Sequence, residues 1–319
     1  MNETQRNRGK QIHRETGRTF YYATRLLPER IREQTYVLYG FFRIADEIVD
    51  GETASSPTEQ REQLETLRES ALGRREADDP VVAAFSEIRE ETGIADVEVN
   101  AFIDAMLSDI ETNRYETYNE LESYMRGSAA AVGNMMLALM DADDPQTREH
   151  AMALGEGFQL TNFLRDVSED IDELDRVYLP QETLLHHGAS VDDIRQKRCT
   201  PEFRNAIKAE LNRAEQRYRV GIRGIELLPR DCQFAVLLSA VLYAEHHRLI
   251  RANEYDVLST RPTLSRTRKL WVIARTWWHW RKLRDPVTVF ERVSAVPTDD
   301  TGTEERVEEG RGRGIPSPE

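Results

Sequence analysis

Two stretches of this chain set carboxylates four residues apart inside helical, core-type sequence, and that pairing constrains the fold more than any other feature. In FFRIADEIVD (41–50), Asp46 and Asp50 share one helix face among Phe41, Phe42, Ile44, Ala45, Ile48 and Val49, because four residues advance a helix slightly past one full turn. In GFQLTNFLRDVSEDIDE (157–173), Gln159, Asn162, Asp166 and Asp170 step by three, four and four residues into one polar stripe. Phe158, Leu160, Phe163, Leu164 and Val167 flank that stripe with apolar bulk. Like charges one turn apart weaken an isolated helix by roughly a few tenths of a kcal/mol. Something outside each helix must offset them: water, a basic side chain or a cation.

A single such pair is most often a solvated face. Two pairs in apolar context that face each other would instead line a cleft with oxygen atoms suited to hard cations. Magnesium fits this donor set, since it prefers oxygen ligands, keeps several waters and is commonly shared between carboxylates and substrate phosphates. Arg43 lies one turn before Asp46, Tyr39 one turn before Arg43, and Arg165 directly before Asp166. Acids interleaved with arginines point to a metal-bridged diphosphate held by guanidinium forks. A structural salt-bridge network would use the same residues, but salt bridging alone would not select like-charge stripes on two helices. A di-iron carboxylate bundle would want Glu-x-x-His pairs on two helices, and the chain has only the unpartnered Glu182…His186 at a spacing of four.

The rest of the chain reads as helix. Apolar residues recur at the helical period and Asn-Gly or Asp-Gly hairpin signals are absent. Helices are expected from Pro28 to Asp50, then near 58–72, 80–91, 96–111, 119–141, 146–172, 201–226, 230–252 and 264–283, with DRVYLP (175–180) as an irregular connection closed by Pro180. One all-α domain over 1–284 is the economical division. Residues 285–319, rich in Pro, Gly, Thr and charge, read as a disordered acidic tail with too little apolar area to offset ordering. Lys+Arg 43 against Asp+Glu 57, a net charge of −14, argues against a nucleic-acid partner. Two lone cysteines, Cys199 and Cys232, and an N-terminus without an apolar signal-peptide core fit a cytoplasmic protein. The longest apolar run, FAVLLSAVLYA (234–244), is too short to span a bilayer. RTWWHWRKLR (275–284) combines Trp277, Trp278 and Trp280 with cations, which suits either the core packing of a last helix or a peripheral membrane contact.

FYYATRLLPERIREQTYVLYGFFRIADEIVD, YMRGSAAAVG and QLTNFLRDVSED…DRVYLP, in this order and spacing, closely resemble the squalene and phytoene synthase family from about Arg14 to Lys269. The resemblance implies an all-α isoprenoid synthase (class I terpene synthase-like) helical bundle with a central cavity, and head-to-head 1′-1 joining of two prenyl diphosphates. By position it implies Asp46 and Asp50 as the first magnesium-binding pair, and Asn162, Asp166 and Asp170 as the second metal-binding stripe, with Gln159 at its cavity end. It implies diphosphate-binding roles for Arg18, Thr19, Tyr39, Arg43, Gln159, Arg165, Tyr243 and Arg261, and places Tyr124 on the cavity wall near the reacting diphosphate. Thr19 stands where a serine is common, and Ala130, within GSAAAVG (127–133), where many members have glycine.

The implied chemistry is ionisation of an allylic diphosphate at Mg2+ (or Mn2+), attack by the second substrate's double bond to give a cyclopropylcarbinyl diphosphate, a second ionisation, rearrangement and proton loss. A water-free cavity, with Phe20, Tyr21, Phe42, Phe158 and Phe163 as lining candidates, would protect the cations. His186-His187 and His246-His247 read as helix-end or surface residues, which leaves the released diphosphate as proton acceptor. Thr24 and the small run Ser128 to Ala131 leave room for a twenty-carbon chain, favouring phytoene from two geranylgeranyl diphosphates. The alternative is squalene or dehydrosqualene formation from farnesyl diphosphate, with NADPH needed only for squalene. A non-catalytic helical assembly factor is a more distant alternative, and would be free to lose the acidic stripes. No oligomer is required by this reading.

Overall fold

The computed structural model describes residues 22–51 and 56–298. Within them the chain is helical throughout: the only β feature among the described residues is a single parallel bridge between Arg114 and Val177. Four helices come first: α1 (Glu29–Asp50), α2 (Pro57–Ala71), α3 (Pro80–Thr92) and α4 (Asp96–Asp109). They are followed by α5 (Tyr118–Met125), a π-type turn (Arg126–Ala130), α6 (Ala131–Leu139) and the long α7 (Pro145–Leu174). The short α8 (Gln181–His186) and α9 (Val191–Arg195) lead to α10 (Pro201–Arg223), a 3-10 turn (Gly224–Leu227) and α11 (Arg230–Ala252). The last two are α12 (Arg266–Leu283) and α13 (Pro286–Val293).

Local chemistry sets these boundaries. Pro145 opens α7 while the Asp144 side chain accepts from the backbone N–H groups of Gln146 and Thr147, satisfying donors that a helix start leaves unpaired. Ser56 and Glu59 form a reciprocal capping box on α2. α1 divides its faces: Phe41 is fully buried and stacks on Phe85 of α3 at 4.1 Å, whereas Tyr39, Phe42, Arg43, Asp46 and Asp50 look into a central cavity. Removing a ring buried like that of Phe41 costs about 3–5 kcal/mol, so the apolar face clamps the acidic one in position.

α7 is the axis of the bundle, packed against α6, α10 and α11. Two glycines bring it to backbone distance of its neighbour. A Cβ on Gly155 would lie 2.6 Å from the Ala129 carbonyl oxygen, and one on Gly133 equally close to that of Ala151. A buried polar relay ties α7 to α10 and α11. The Thr161 hydroxyl lies 2.9 Å from His247 Nε2 and 3.0 Å from the Tyr218 hydroxyl. His247 Nδ1 is in turn 3.1 Å from Glu215, which is also paired with Arg251. His246 and His247 are therefore interior residues and not surface ones, as their polar character alone suggested. Burial lowers the pKa of both, His246 to about 3 with Arg165 adding to the effect.

Two further expectations change. The helix expected at 119–141 is interrupted by the π-type turn, where a Cβ on Gly127 would meet the Ala101 carbonyl oxygen at 2.1 Å. The segment 286–293 is a helix, not part of a tail: Pro286 opens it, Asp285 caps it, and Val289, Phe290, Val293 and the following Val296 are buried. Four apolar side chains at the helical period suffice to dock it, although its surroundings in sequence are polar. Residues 299–319, the remainder of the expected tail, lie outside the described residues. No helix among the described residues is long and apolar enough to cross a membrane.

Candidate active site

The two acidic stripes line one cavity of about 450 Å3. α1 contributes Tyr39, Phe42, Arg43, Asp46 and Asp50; α7 contributes Phe158, Gln159, Asn162, Phe163, Arg165, Asp166 and Asp170; α11 contributes Tyr243. Tyr124 of α5, with Ser128 of the π-type turn and Val132 and Met136 of α6, forms another wall. Arg261, in the connection before α12, reaches across to Asp166 at 2.8 Å and to Glu169 at 2.6 Å. The described residues assigned to metal or diphosphate binding from the sequence, together with Tyr124, are thus gathered at one place. Arg18 and Thr19, with Phe20 and Tyr21, lie outside the described residues. Of the small run, Ser128 lines the cavity whereas Ala131 is fully buried and does not.

Arginines answer most of the acids. Arg43 lies 3.1 Å from Asp46, and Arg165 contacts both oxygens of Asp166 at 2.7 and 2.5 Å. Arg176 was not anticipated and is central. Nearly buried at 6% exposure, it ion-pairs with Asp50 at 2.9 Å and donates to the Asp109 carbonyl oxygen at 2.8 Å. Asp109, at the end of α4, is a second such residue; its carboxylate accepts from the Tyr124 hydroxyl at 2.7 Å. Tyr178 is a third, stacked on Phe163 at 4.0 Å. Arg176 and Tyr178 sit in DRVYLP, an irregular connection whose residues have no period to reveal which way they face. Asp109 ends α4 with no other acid three or four residues away on that helix, so its place is visible only once α4 meets α5.

Burial holds three carboxyls near or above neutral pH. Asp46 is raised to about 6, chiefly by desolvation and against the pull of Arg43. Asp109 is raised to about 7, mainly by desolvation, and Asp170 to about 8 by desolvation and then by Asp166. Among the described residues Asp170 has no ion-pair partner. The Asn162 Oδ1, Asp109 Oδ1 and Ser128 Oγ atoms are buried without hydrogen-bond partners, which is costly unless a ligand completes them.

These features fit a hard divalent cation: the donors are oxygens, two acceptors are unfilled, and the carboxyls need positive charge to ionise. Among the described residues no three acidic, histidine or cysteine side chains converge closely enough to hold a metal unaided. A cation here would draw further ligands from a bound anion.

Behind this cavity lies an apolar one of about 150 Å3, sharing Val132, Met136 and Phe158 with it. Its walls include Thr24, Leu27, Met140, Ala151, Leu154, Gly155, Ile225 and Val236. A polar, arginine-rich cavity thus adjoins a hydrocarbon-lined one across Val132, Met136 and Phe158.

Comparison with known proteins agrees with this arrangement. The squalene/phytoene synthase family model matches residues 13–268. The chain is 32% identical to the 15-cis-phytoene synthase of a Synechocystis species over 84% of this chain and 83% of that protein, and 31% identical to the phytoene synthase of Arthrospira platensis over 82% and 88%. A dehydrosqualene synthase solved with a ligand superposes with a TM-score of 0.78 at 25% identity, covering 88% of this chain and 97% of the other. The squalene synthase HpnC of Alicyclobacillus acidocaldarius gives 0.69 at 26% identity over 79% and 95%. With both acidic stripes lining one cavity, and with a match spanning most of its length, the chain belongs to the squalene/phytoene synthase family.

Proposed function

We propose that this protein is a 15-cis-phytoene synthase that joins two geranylgeranyl diphosphates 1′-1 through a cyclopropyl (prephytoene) diphosphate, the entry step to carotenoids. The carrying observation is the pairing of an arginine- and acid-lined mouth with an apolar extension deep behind Phe158. Similarity to several phytoene synthases at about 30% identity over most of the chain supports the same assignment.

Mg2+, when bound by Asp46, Asp50, Asn162, Asp166 and Asp170 together with substrate oxygens, would neutralise the diphosphate and so ease ionisation of the allylic C–O bond. Arg43, Arg165 and Arg261 offer guanidinium forks to the diphosphate oxygens, beside Tyr39, Gln159 and Tyr243. Arg18 and Thr19 are assigned to the same task by resemblance. Arg176 holds Asp50 toward the cavity and ties it to α4. Tyr124 is held by Asp109, so its ring wall is fixed. Phe42, Phe158 and Phe163 enclose the prenyl carbons and exclude water, prolonging the life of the cations. Across the reaction two diphosphates and two protons leave, one proton as the cyclopropane closes and one after the final rearrangement; the histidines nearest the site are buried and bonded internally, so the departing diphosphates take the protons.

Farnesyl diphosphate, giving dehydrosqualene or, with NADPH, squalene, is the second reading, favoured by the structural likeness to a dehydrosqualene synthase. Purified protein incubated with labelled geranylgeranyl or farnesyl diphosphate, with and without NADPH, and with Mg2+, Mn2+ or EDTA, decides between them. Phytoene that disappears with EDTA is expected. Squalene formed with NADPH in preference to phytoene would overturn the assignment.

A further inference from the structure

Helix α12 carries an outward face that the reaction does not use. Leu270, Trp271, Ala274, Trp277, Trp278, Arg281 and Lys282 recur at steps of one, three or four residues and are all exposed, forming one stripe along a helix about 27 Å long. Leu270 is 64% exposed, Trp271 and Trp277 47% and Trp278 50%. Such values are unusual for these side chains. The opposite side, Val272, Thr276 and Trp280, is buried. Of the three tryptophans expected to pack or to dock, Trp280 packs and the other two do not.

The segment that carries the stripe is strongly cationic. From Leu264 to Arg284 the sequence holds Arg266, Arg268, Lys269, Arg275, Arg281, Lys282 and Arg284 and no acid, in a chain of net charge −14. Arg268 is taken up by Glu245 at 2.7 Å, and Arg275 by backbone carbonyls of Arg292 and Val293. Arg281 and Lys282 instead lie over the Trp277 and Trp278 rings at 4.9 and 3.5 Å, so the cations and the rings present one surface.

The face is also connected to the site. α12 begins five residues after Arg261, which reaches Asp166 at the mouth. Its buried Trp280 meets Phe234 at 6.0 Å, adjacent to Ala235 and Val236, which line the apolar cavity.

We propose that the outer face of α12 docks the enzyme onto an anionic lipid bilayer. Tryptophan and leucine enter the interfacial zone, and arginine and lysine meet the lipid phosphates. The surface charge selects an anionic bilayer over a neutral one, and the aromatic stripe selects a bilayer over a soluble polyanion. The placement beside the apolar cavity gives an uncharged hydrocarbon product a route that avoids water; this last point rests on the synthase reading, but the docking itself does not.

Flotation of the full chain with phosphatidylcholine vesicles, with or without about 30% phosphatidylglycerol, tests this over about 0.05 to 0.5 M NaCl. Wild type should float with the anionic vesicles and detach as salt rises. The R281Q/K282Q variant should lower the vesicle partition coefficient by roughly 25-fold, and W271S/W277S/W278S should abolish flotation. Both variants should keep the wild-type Tm and wild-type turnover of detergent-dispersed substrate. Absence of wild-type flotation at low salt, or equal flotation of all three proteins, would overturn the proposal. So would a concentration-dependent dimer that the same variants abolish without any flotation, since the face would then belong to a second copy. A failure of turnover with normal flotation would count against the synthase reading alone.

Discussion

The mouth and the rear of the cavity are walled partly by the same helix, yet they follow opposite rules. At the rear, polar side chains turn inward on the protein: His150 Nδ1 donates to the Val220 carbonyl oxygen at 2.7 Å, Ser239 to that of Ala235 at 3.1 Å, and Thr147 to Asp144 at 2.6 Å. What remains to face the void is hydrocarbon. At the mouth, one turn from Phe158 along α7, Asn162 Oδ1 is buried and unfilled, as are Asp109 Oδ1 and Ser128 Oγ, and burial raises the pKa of three carboxyls. A folded protein ordinarily satisfies its interior polar atoms. Where it leaves them open on one side of a cavity and closes them on the other, the open side is the one shaped for a charged ligand.

The contrast can be broken most severely at the mouth. Asp166→Asn, which keeps shape but removes the charge contacted by both Arg165 and Arg261, should lower turnover on the order of 100-fold or more while preserving the fold. Near-normal turnover at saturating Mg2+ would show that the stripe does not act on the diphosphate.

At the rear, Thr24→Phe should shift preference without touching the acids. Thr24 is 2% exposed and lines the apolar cavity, so overfilling there should penalise geranylgeranyl relative to farnesyl diphosphate by about 1–3 kcal/mol, roughly 5- to 150-fold. Competition assays on the folded variant measure it, and an unchanged ratio would remove the rear cavity from chain selection. Ala131→Phe is a contrasting control: this fully buried residue does not line either cavity, so the expected result is loss of stability.

Arg176→Met asks whether the connection after α7 belongs to the mouth. The substitution frees Asp50 and leaves the Asp109 carbonyl oxygen without its partner. Turnover should fall roughly 10-fold to 100-fold, with a higher Mg2+ requirement; an unchanged Mg2+ dependence would reduce Arg176 to a packing residue.

The smallest effect concerns stability in EDTA. The raised pKa of Asp170 means that the folded state holds a proton which the unfolded chain, with an ordinary carboxyl, has already released. Stability from this group is therefore full at low pH and is lost as pH rises toward about 8. Above about pH 7.5 the buried histidines, whose pKa values are lowered, are mostly neutral in both states and contribute little to the slope. Asp170→Asn should flatten this decline and raise the Tm at pH 8 by roughly 2–4 °C or more. Parallel Tm–pH curves for the two proteins would refute the assignment.

Much of this arrangement was legible in the residues themselves. Helical period and capping chemistry located the long helices, and the three-four-four spacing of Gln159, Asn162, Asp166 and Asp170 defined a polar stripe before any neighbour was known. Periodicity reports which residues share a face, but only for residues that have a period. Arg176 and Tyr178 in an irregular connection escaped it for that reason, and Asp109 did so because the acids of its helix, at 96, 98, 104 and 109, include no pair three or four residues apart. The helix at 286–293 was missed because its four apolar side chains sit in polar surroundings, where local composition outweighs a short pattern.

The sequence by itself determined an all-α chain with two acidic helix faces, because side-chain order along a helix is a local property set by 3.6 residues per turn. Tertiary structure alone decided that those faces share one cavity, that Gly133 and Gly155 let α7 approach α6 and the π-type turn closely, and that Arg176 joins Asp50 to α4. It also decided that His247 is interior while Trp277 is not. Burial and partnership are relations between segments far apart in the chain, and they come into being only when the helices pack.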